Sequence, residues 1–165
     1  MNPNDVMKYG HFHFLRALEG LPHSEWETGG VCGIWSVKNI VCHIASYEVF
    51  MDEMLIKILG DSQPTPMHDA LSAQGPEAYF AAFNDVEVNQ RQAYTAQQAL
   101  DEYLAAYERV AAKGLLVDGE TWRKNGTIGW YGDAYSLEDY VVYSQYGHKR
   151  EHLAEINAFK TNLSK

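Results

Sequence analysis

Apolar positions recur along the chain with the period of helices. Met7, His11, Phe14, Leu18 and Leu21 follow at alternating spacings of four and three, which places them on one face of a helix running from after Asn4 to about Gly20. Gly20 and Pro22 stop it. Pro22 to Trp35, with Gly29, Gly30 and Gly33 and little periodicity, predicts a loop, and Ser36 is placed to cap the next helix. There Val41, Ile44, Met51, Leu55 and Ile58 form one stripe beside a second of Ile40, His43, Tyr47, Phe50 and Met54. Such a wide face predicts deep burial.

Gly60 ends that helix, and the segment GDSQPTPMHDALSAQG predicts a connection with at most one helical turn. Pro76 suits the first position of a third helix. Tyr79, Phe80, Phe83 and Val86 supply its apolar residues, the period fades through EVNQRQ, and it resumes with Leu100, Tyr103, Leu104, Tyr107 and Val110. A capping box at Thr95 and Gln98 predicts a break near Tyr94, and Gly114 closes the second half. Between Leu115 and Tyr135 lie Gly119, Gly126, Gly129 and Gly132 with Trp122, Trp130 and Tyr131. This long connection reads as a lid or pocket wall, or else as a short hairpin packed on the helices. Ser136 and Asp139 form another capping box, opening a final helix through Val142, Tyr146, Leu153, Ile156 and Phe159 to roughly Lys160. The pattern predicts an all-α protein: a four-helix bundle with long connections and an aromatic, glycine-rich loop before the last helix, in one domain over 1–165.

Composition narrows the function. The 165 residues carry a formal charge of −9 and 46% hydrophobic residues, enough for one continuous core. Without clustered Lys and Arg the chain is not expected to bind nucleic acid, nor an acidic membrane surface. No apolar run approaches the ~20 residues that span a bilayer, and the polar N-terminus lacks a secretory signal pattern, so a cytoplasmic location is expected. Cys32 and Cys42 read as free thiols, Cys42 as a small buried hydrophobe and Cys32 as a loop thiol with no neighbour in sequence to activate it.

The candidate chemistry lies in GHKREHLAEI on the last helix. His148 and His152, four residues apart, project from one face about 40° apart and can chelate one ion. A site needs another ligand, and His43 on the core-facing stripe of the second helix is the candidate. Seven histidines in 165 positions would give roughly 0.3 such i,i+4 pairs by chance, so placement on apolar faces carries the argument. Satisfied core histidines fit the same spacing equally well. Glu155, on the same side as His152, is the candidate catalytic carboxylate, open to three roles: fourth ligand, acceptor behind His152, or general base. His11 lies on the first helix's apolar stripe as a possible outer partner, while His13, His23 and His68 read as structural or solvated, the last two in loops. Glu48 sits on a helix seam and Glu151 on a new face. Arg123 and Lys124 suit an anionic group or plain solvation. Phosphate loops, a GxSxG elbow and HExxH are absent, so nucleotide-dependent and serine-hydrolase chemistry have no support.

Three segments carry a resemblance. GVCGIWSVKNIVCHIASYEVFMDEM, with its tryptophan-serine pair and helix-borne histidine, is similar to the second helix of the DinB-like superfamily, and YSLEDYVVYSQYGHKREHLAEI resembles its last. AYFAAFNDVEVNQRQAYTAQQALDEYLAAYERV, with Phe83 and Asn84, is similar to its third-helix region. The resemblance implies an up-down-down-up four-helix bundle, often a homodimer, holding a divalent metal through His43, His148 and His152. It also implies metal-dependent enzymes that use low-molecular-weight thiols, such as bacillithiol S-transferases and mycothiol-dependent maleylpyruvate isomerases. Three imidazoles suit Zn²⁺, Ni²⁺ or Fe²⁺ and leave a position for a thiol cosubstrate, which the cation would hold as thiolate for attack on a small electrophile or for isomerisation. The competing readings are a non-catalytic bundle that binds or sequesters a small ligand, and a hydrolase using metal-bound water.

Overall fold

The computed structural model describes residues 1–165 and is all-helical, its one extended contact being an isolated bridge between Cys32 and Trp35. In chain order the helices are α1 (Pro3–Leu18), α2 (Val37–Leu59), α3 (Pro66–Gln74), α4 (Pro76–Gln90), α5 (Ala96–Gly114), α6 (Gly119–Arg123), α7 (Leu137–Val141) and α8 (His148–Leu163). A π-helical turn, Val142–Gly147, joins α7 to α8 without leaving helical dihedrals. No helix is long and apolar enough to cross a membrane.

The helix ends follow the sequence signals. Ser36, Thr95 and Ser136 each form a reciprocal capping box with the residue three positions on, satisfying backbone donors that the first turn leaves free. Gly60 ends α2 at φ 71°, a conformation that costs a residue without Cβ nothing.

The most extensive contact is between α2 and α5. The expected stripe of α5 shifts here: Ala96, Ala99, Tyr103, Ala106 and Val110 are buried, while Leu100, Leu104 and Tyr107 lie at the margin. Alanines at the centre let the two backbones approach, and the longer leucines flank the contact. Asp52 on α2 then receives both Arg109 and Lys113 of α5, each at 2.7 Å. α1 lies along the π turn and α8, and Lys160 of α8 donates to the carbonyls of Ala17 and Glu19 where α1 ends.

Two expectations are corrected. The connection after α2 contains nine helical residues, not one turn, and His68 belongs to α3 rather than to a loop. Pro66 starts the helix at a position where a missing N–H is harmless. The Glu53 carboxylate on α2 accepts the His68 backbone N–H at 3.0 Å, and the buried His68 ring stacks on Phe50 at 4.4 Å. Tertiary partners thus stabilise a helix too short to announce itself. His23 lies in a single 3₁₀ turn, His23–Glu25. The 115–135 connection forms no hairpin; it holds the short helix α6, capped by Asp118, and places Trp122 and Ile128 in the core.

The π turn is the other departure. The His148 N–H donates to the Tyr143 carbonyl five residues back, so one extra residue is accommodated and the apolar stripe changes course. Val142 is therefore exposed, and the buried face runs through Leu137, Tyr140, Val141, Ser144 and Gln145 to Lys149, His152 and Ile156. Gly10 of α1 makes room for the widened turn, because a Cβ there would overlap the Gln145 carbonyl oxygen.

Lys149 and Glu48 are 1% and 0% exposed and form an ion pair between α8 and α2. Lys149 also donates to Gln145 at 3.1 Å and lies 5.5 Å from the Tyr103 ring centroid. Removing one partner strands a charge in the core, at a cost of about 3–5 kcal/mol. Lys149→Met is expected to lower the free energy of unfolding by that amount in urea denaturation. The double variant Lys149→Met/Glu48→Leu should recover most of the loss; a double variant no more stable than the single would contradict this role.

Candidate metal centre

Three imidazoles from two helices meet at one point. α2 supplies His43, and α8 supplies His148 and His152 on successive turns of one face. His43 Nε2 and His148 Nε2 are 2.9 Å apart, and the three ring centroids lie 4.8 to 5.1 Å from one another. One nitrogen from each ring falls within 4.8 Å of the others, an arrangement that can hold a metal ion. The structure thus brings together all three histidines singled out in sequence.

The π turn sets this geometry. It immediately precedes His148, and the extra residue rotates α8 so that Lys149, His152 and Ile156 continue the buried face with His148 at its edge. On the other side, a tight turn at Cys32–Trp35 swings an indole over the site. Trp35 N–H donates to the Cys32 carbonyl at 2.8 Å, and Gly33 takes φ 56°, which favours glycine. The Trp35 ring then lies 4.9 Å from His43 and 6.4 Å from His152, while Tyr47 packs edge-on to His43 and His148 at 5.0 and 4.7 Å.

Glu155 pairs with His152. Its Oε2 accepts from His152 Nδ1 at 2.8 Å, which fixes the ring's tautomer and turns Nε2 toward the other imidazoles. Cys32 comes within the same reach of His152 and Glu155. Burial first, and the adjacent Glu155 second, push its thiol up to about 11, so it is a neutral S–H. His43 Nδ1 is buried without a partner, so Nε2 is the nitrogen this ring presents to the group. Burial, then the neighbouring imidazoles, lower His43 to about 2; burial, His152 and Lys149 lower His148 to about 4. Both rings are neutral near pH 7. Neutral imidazoles directed at one point are the donor set that Zn²⁺, Ni²⁺ or Fe²⁺ takes, so the residues present fit such an ion.

The remaining candidates go elsewhere. His11 stacks on Tyr107 at 3.6 Å and bonds the Tyr103 hydroxyl at 3.0 Å, away from the three imidazoles. Cys42 is a buried core residue. Glu151, Arg123 and Lys124 are exposed. Sequence reasoning missed the Lys149–Glu48 pair below the site, although the signal was present: the stripe Val41, Ile44, Met51, Leu55 skips its heptad position, and residue 48 fills it.

Beside the triad, Tyr47, Phe80, Trp130, Tyr140 and His148 border a cavity of about 210 Å³. Trp130 and Tyr131 come from the aromatic connection, which therefore serves as the pocket wall that its composition suggests. A family model described as "Mycothiol maleylpyruvate isomerase N-terminal domain" matches residues 10–137. No curated protein and no solved structure matches the chain.

Depressed imidazole pKa values have a sign. In metal-free protein the folded state holds fewer protons than the unfolded chain once pH falls below the ordinary histidine value of 6.5. Stability is fully present above that value and is lost as pH falls toward 4, where His148 itself titrates. The Tm of chelator-treated protein should be level above pH 7 and fall steadily between pH 6.5 and 4. His148→Gln should flatten this decline; an unchanged slope would show that folding does not depress the pKa of this ring.

Proposed function

From the premise that the chain belongs to the mycothiol maleylpyruvate isomerase N-terminal domain family, a DinB-like family, we propose that it is a divalent-metal-dependent enzyme acting on a low-molecular-weight thiol and a small electrophile. His43, His148 and His152 are the ligands in this reading, within the up-down-down-up bundle arrangement that the resemblance implies. The observation that carries it is the convergence of three neutral imidazoles, one oriented by a carboxylate, at the edge of an aromatic cavity.

A divalent cation held by three neutral ligands keeps a coordination position open and supplies the charge that favours the thiolate form of a thiol near pH 7. The overall transfer forms a bond from the thiol's sulfur to the electrophilic carbon and breaks the bond from that carbon to its leaving group; the thiol's proton goes to solvent. The chain's own residues orient and shield. Glu155 holds His152 by its Nδ1–H, and the Lys149–Glu48 pair ties α8 to α2 one turn from the ligands. Trp35 and Tyr47 exclude water from two sides of the imidazoles.

Two measurements test this. Chelator-treated protein, dialysed against Zn²⁺, Ni²⁺ or Fe²⁺, should retain one ion per chain, and His43→Ala or His152→Ala should retain none. Glu155→Gln should still bind but about 10–100-fold more weakly, because the amide supports the imidazole less well than the carboxylate does. In cobalt-substituted protein, addition of a simple thiol such as 2-mercaptoethanol should change the visible spectrum. Ion binding unaffected by the histidine variants would remove the ligand set. A cobalt spectrum that no thiol perturbs would remove the thiol chemistry and leave hydrolysis or a ligand-binding bundle.

A further inference from the structure

The cavity beside His148 has a composition unlike the rest of this acidic surface. Its walls come from α2 (Tyr47), α4 (Phe80), the connection (Trp130, Tyr131) and the α7–π-turn segment (Tyr140, Tyr143), with Ser144 and His148 completing the lining. No lysine, arginine or carboxylate borders it. The nearest cations in sequence to the Trp130 wall, Arg123 and Lys124, are exposed and lie outside the lining, and Arg123 folds back over Gly119.

The rings form a connected set, not a scatter. Phe80 and Trp130 are 5.0 Å apart, Trp130 meets Tyr140 edge-on at 5.6 Å, Tyr131 meets Tyr140 at 5.0 Å, and Tyr47, 4.7 Å from His148, joins Phe80 through Phe83 at 4.9 and 5.9 Å. Facing π surfaces and positively polarised edges favour another flat ring beyond its buried area. In the metal-free protein an ionised carboxylate placed there would lose its hydration and gain no cation from the chain. Ser144 completes the wall between Tyr140 and His148, itself 4% exposed. Tyr143 is 55% exposed and gives the chamber its open side.

We propose that this cavity binds the uncharged aromatic ring of the electrophile, with the reacting carbon toward His148. By its own lining, before any ion is bound, it disfavours a carboxylate on that ring. The assignment rests on the metal–thiol reading for the word electrophile, but the ring site itself exists without metal. Volume limits the occupant to one ring or two small fused rings.

The probes are p-nitrotoluene and p-nitrobenzoate, matched in shape and different in charge. Each is titrated into metal-loaded and chelator-treated wild-type protein while the indole N–H resonance of Trp130 is followed, assigned by its loss in Trp130→Phe. The expected result is saturable binding of p-nitrotoluene with a Kd on the order of 0.1–1 mM. In the chelator-treated protein p-nitrobenzoate should bind at least about tenfold more weakly. Tyr143→Lys, at an exposed lining position, should reverse that preference with no loss of ion binding. Equal or tighter binding of the benzoate to metal-free wild type, or no response of Trp130 to either probe, would overturn the proposal. Failure to load any ion, with the probe preference intact, would instead overturn the metal reading and leave the aromatic site standing.

Discussion

The seam between α2 and α8 is occupied by polar side chains where a helical bundle ordinarily places apolar ones. His43 and Glu48 on one helix face His148, Lys149 and His152 on the other, and each must find a partner because water is excluded. Much of the molecule answers that need. Tyr103 and Tyr107 of α5 lie near the buried ammonium, and Gln145 accepts one of its protons. Glu155 satisfies His152 from outside. The three imidazoles converge without a carboxylate or ammonium between them, and that is a place a cation would fill.

Accommodating this seam requires an irregular helix. A continuous α-helix from Leu137 would carry the residues after Gln145 to a different face. The π turn takes up one residue, and Gly10 of α1 yields the space that the wider turn needs. Backbone irregularity, the missing side chain on α1 and the position of His148 are thus one structural fact. The same turn exposes Tyr143 at the mouth of the aromatic cavity and brings Ser144 to its wall. The imidazole cluster and the pocket lining are therefore set by the same few residues.

Most of the fold was legible because its signals are local. The cap at Ser36, the capping boxes at Thr95 and Ser136, glycine at position 60 and the stripes of α1 and α2 mark their elements directly. The three histidines were legible as candidates from spacing and face alone. What was not legible depends on partners distant in sequence. α3 is held by Glu53 and Phe50, fifteen or more residues away, and no local pattern contains them. The π turn cannot be read from period, since it is a defect in the period whose cause lies in Gly10. Glu155 was visible, but that it pairs with His152 at 2.8 Å is a fact of the fold. The cation-free aromatic chamber joins four separate parts of the chain and has no sequence signature.

In the proposed site imidazoles alone, and no thiol from the chain, are the protein ligands of one ion. X-ray absorption at the zinc edge of the loaded protein reads the atoms bound to that ion. The expected spectrum has nitrogen or oxygen neighbours at about 2.0–2.1 Å with the outer-shell scattering of three imidazole rings and no sulfur. A sulfur neighbour at about 2.3 Å in the absence of added thiol would place Cys32 on the ion and contradict it.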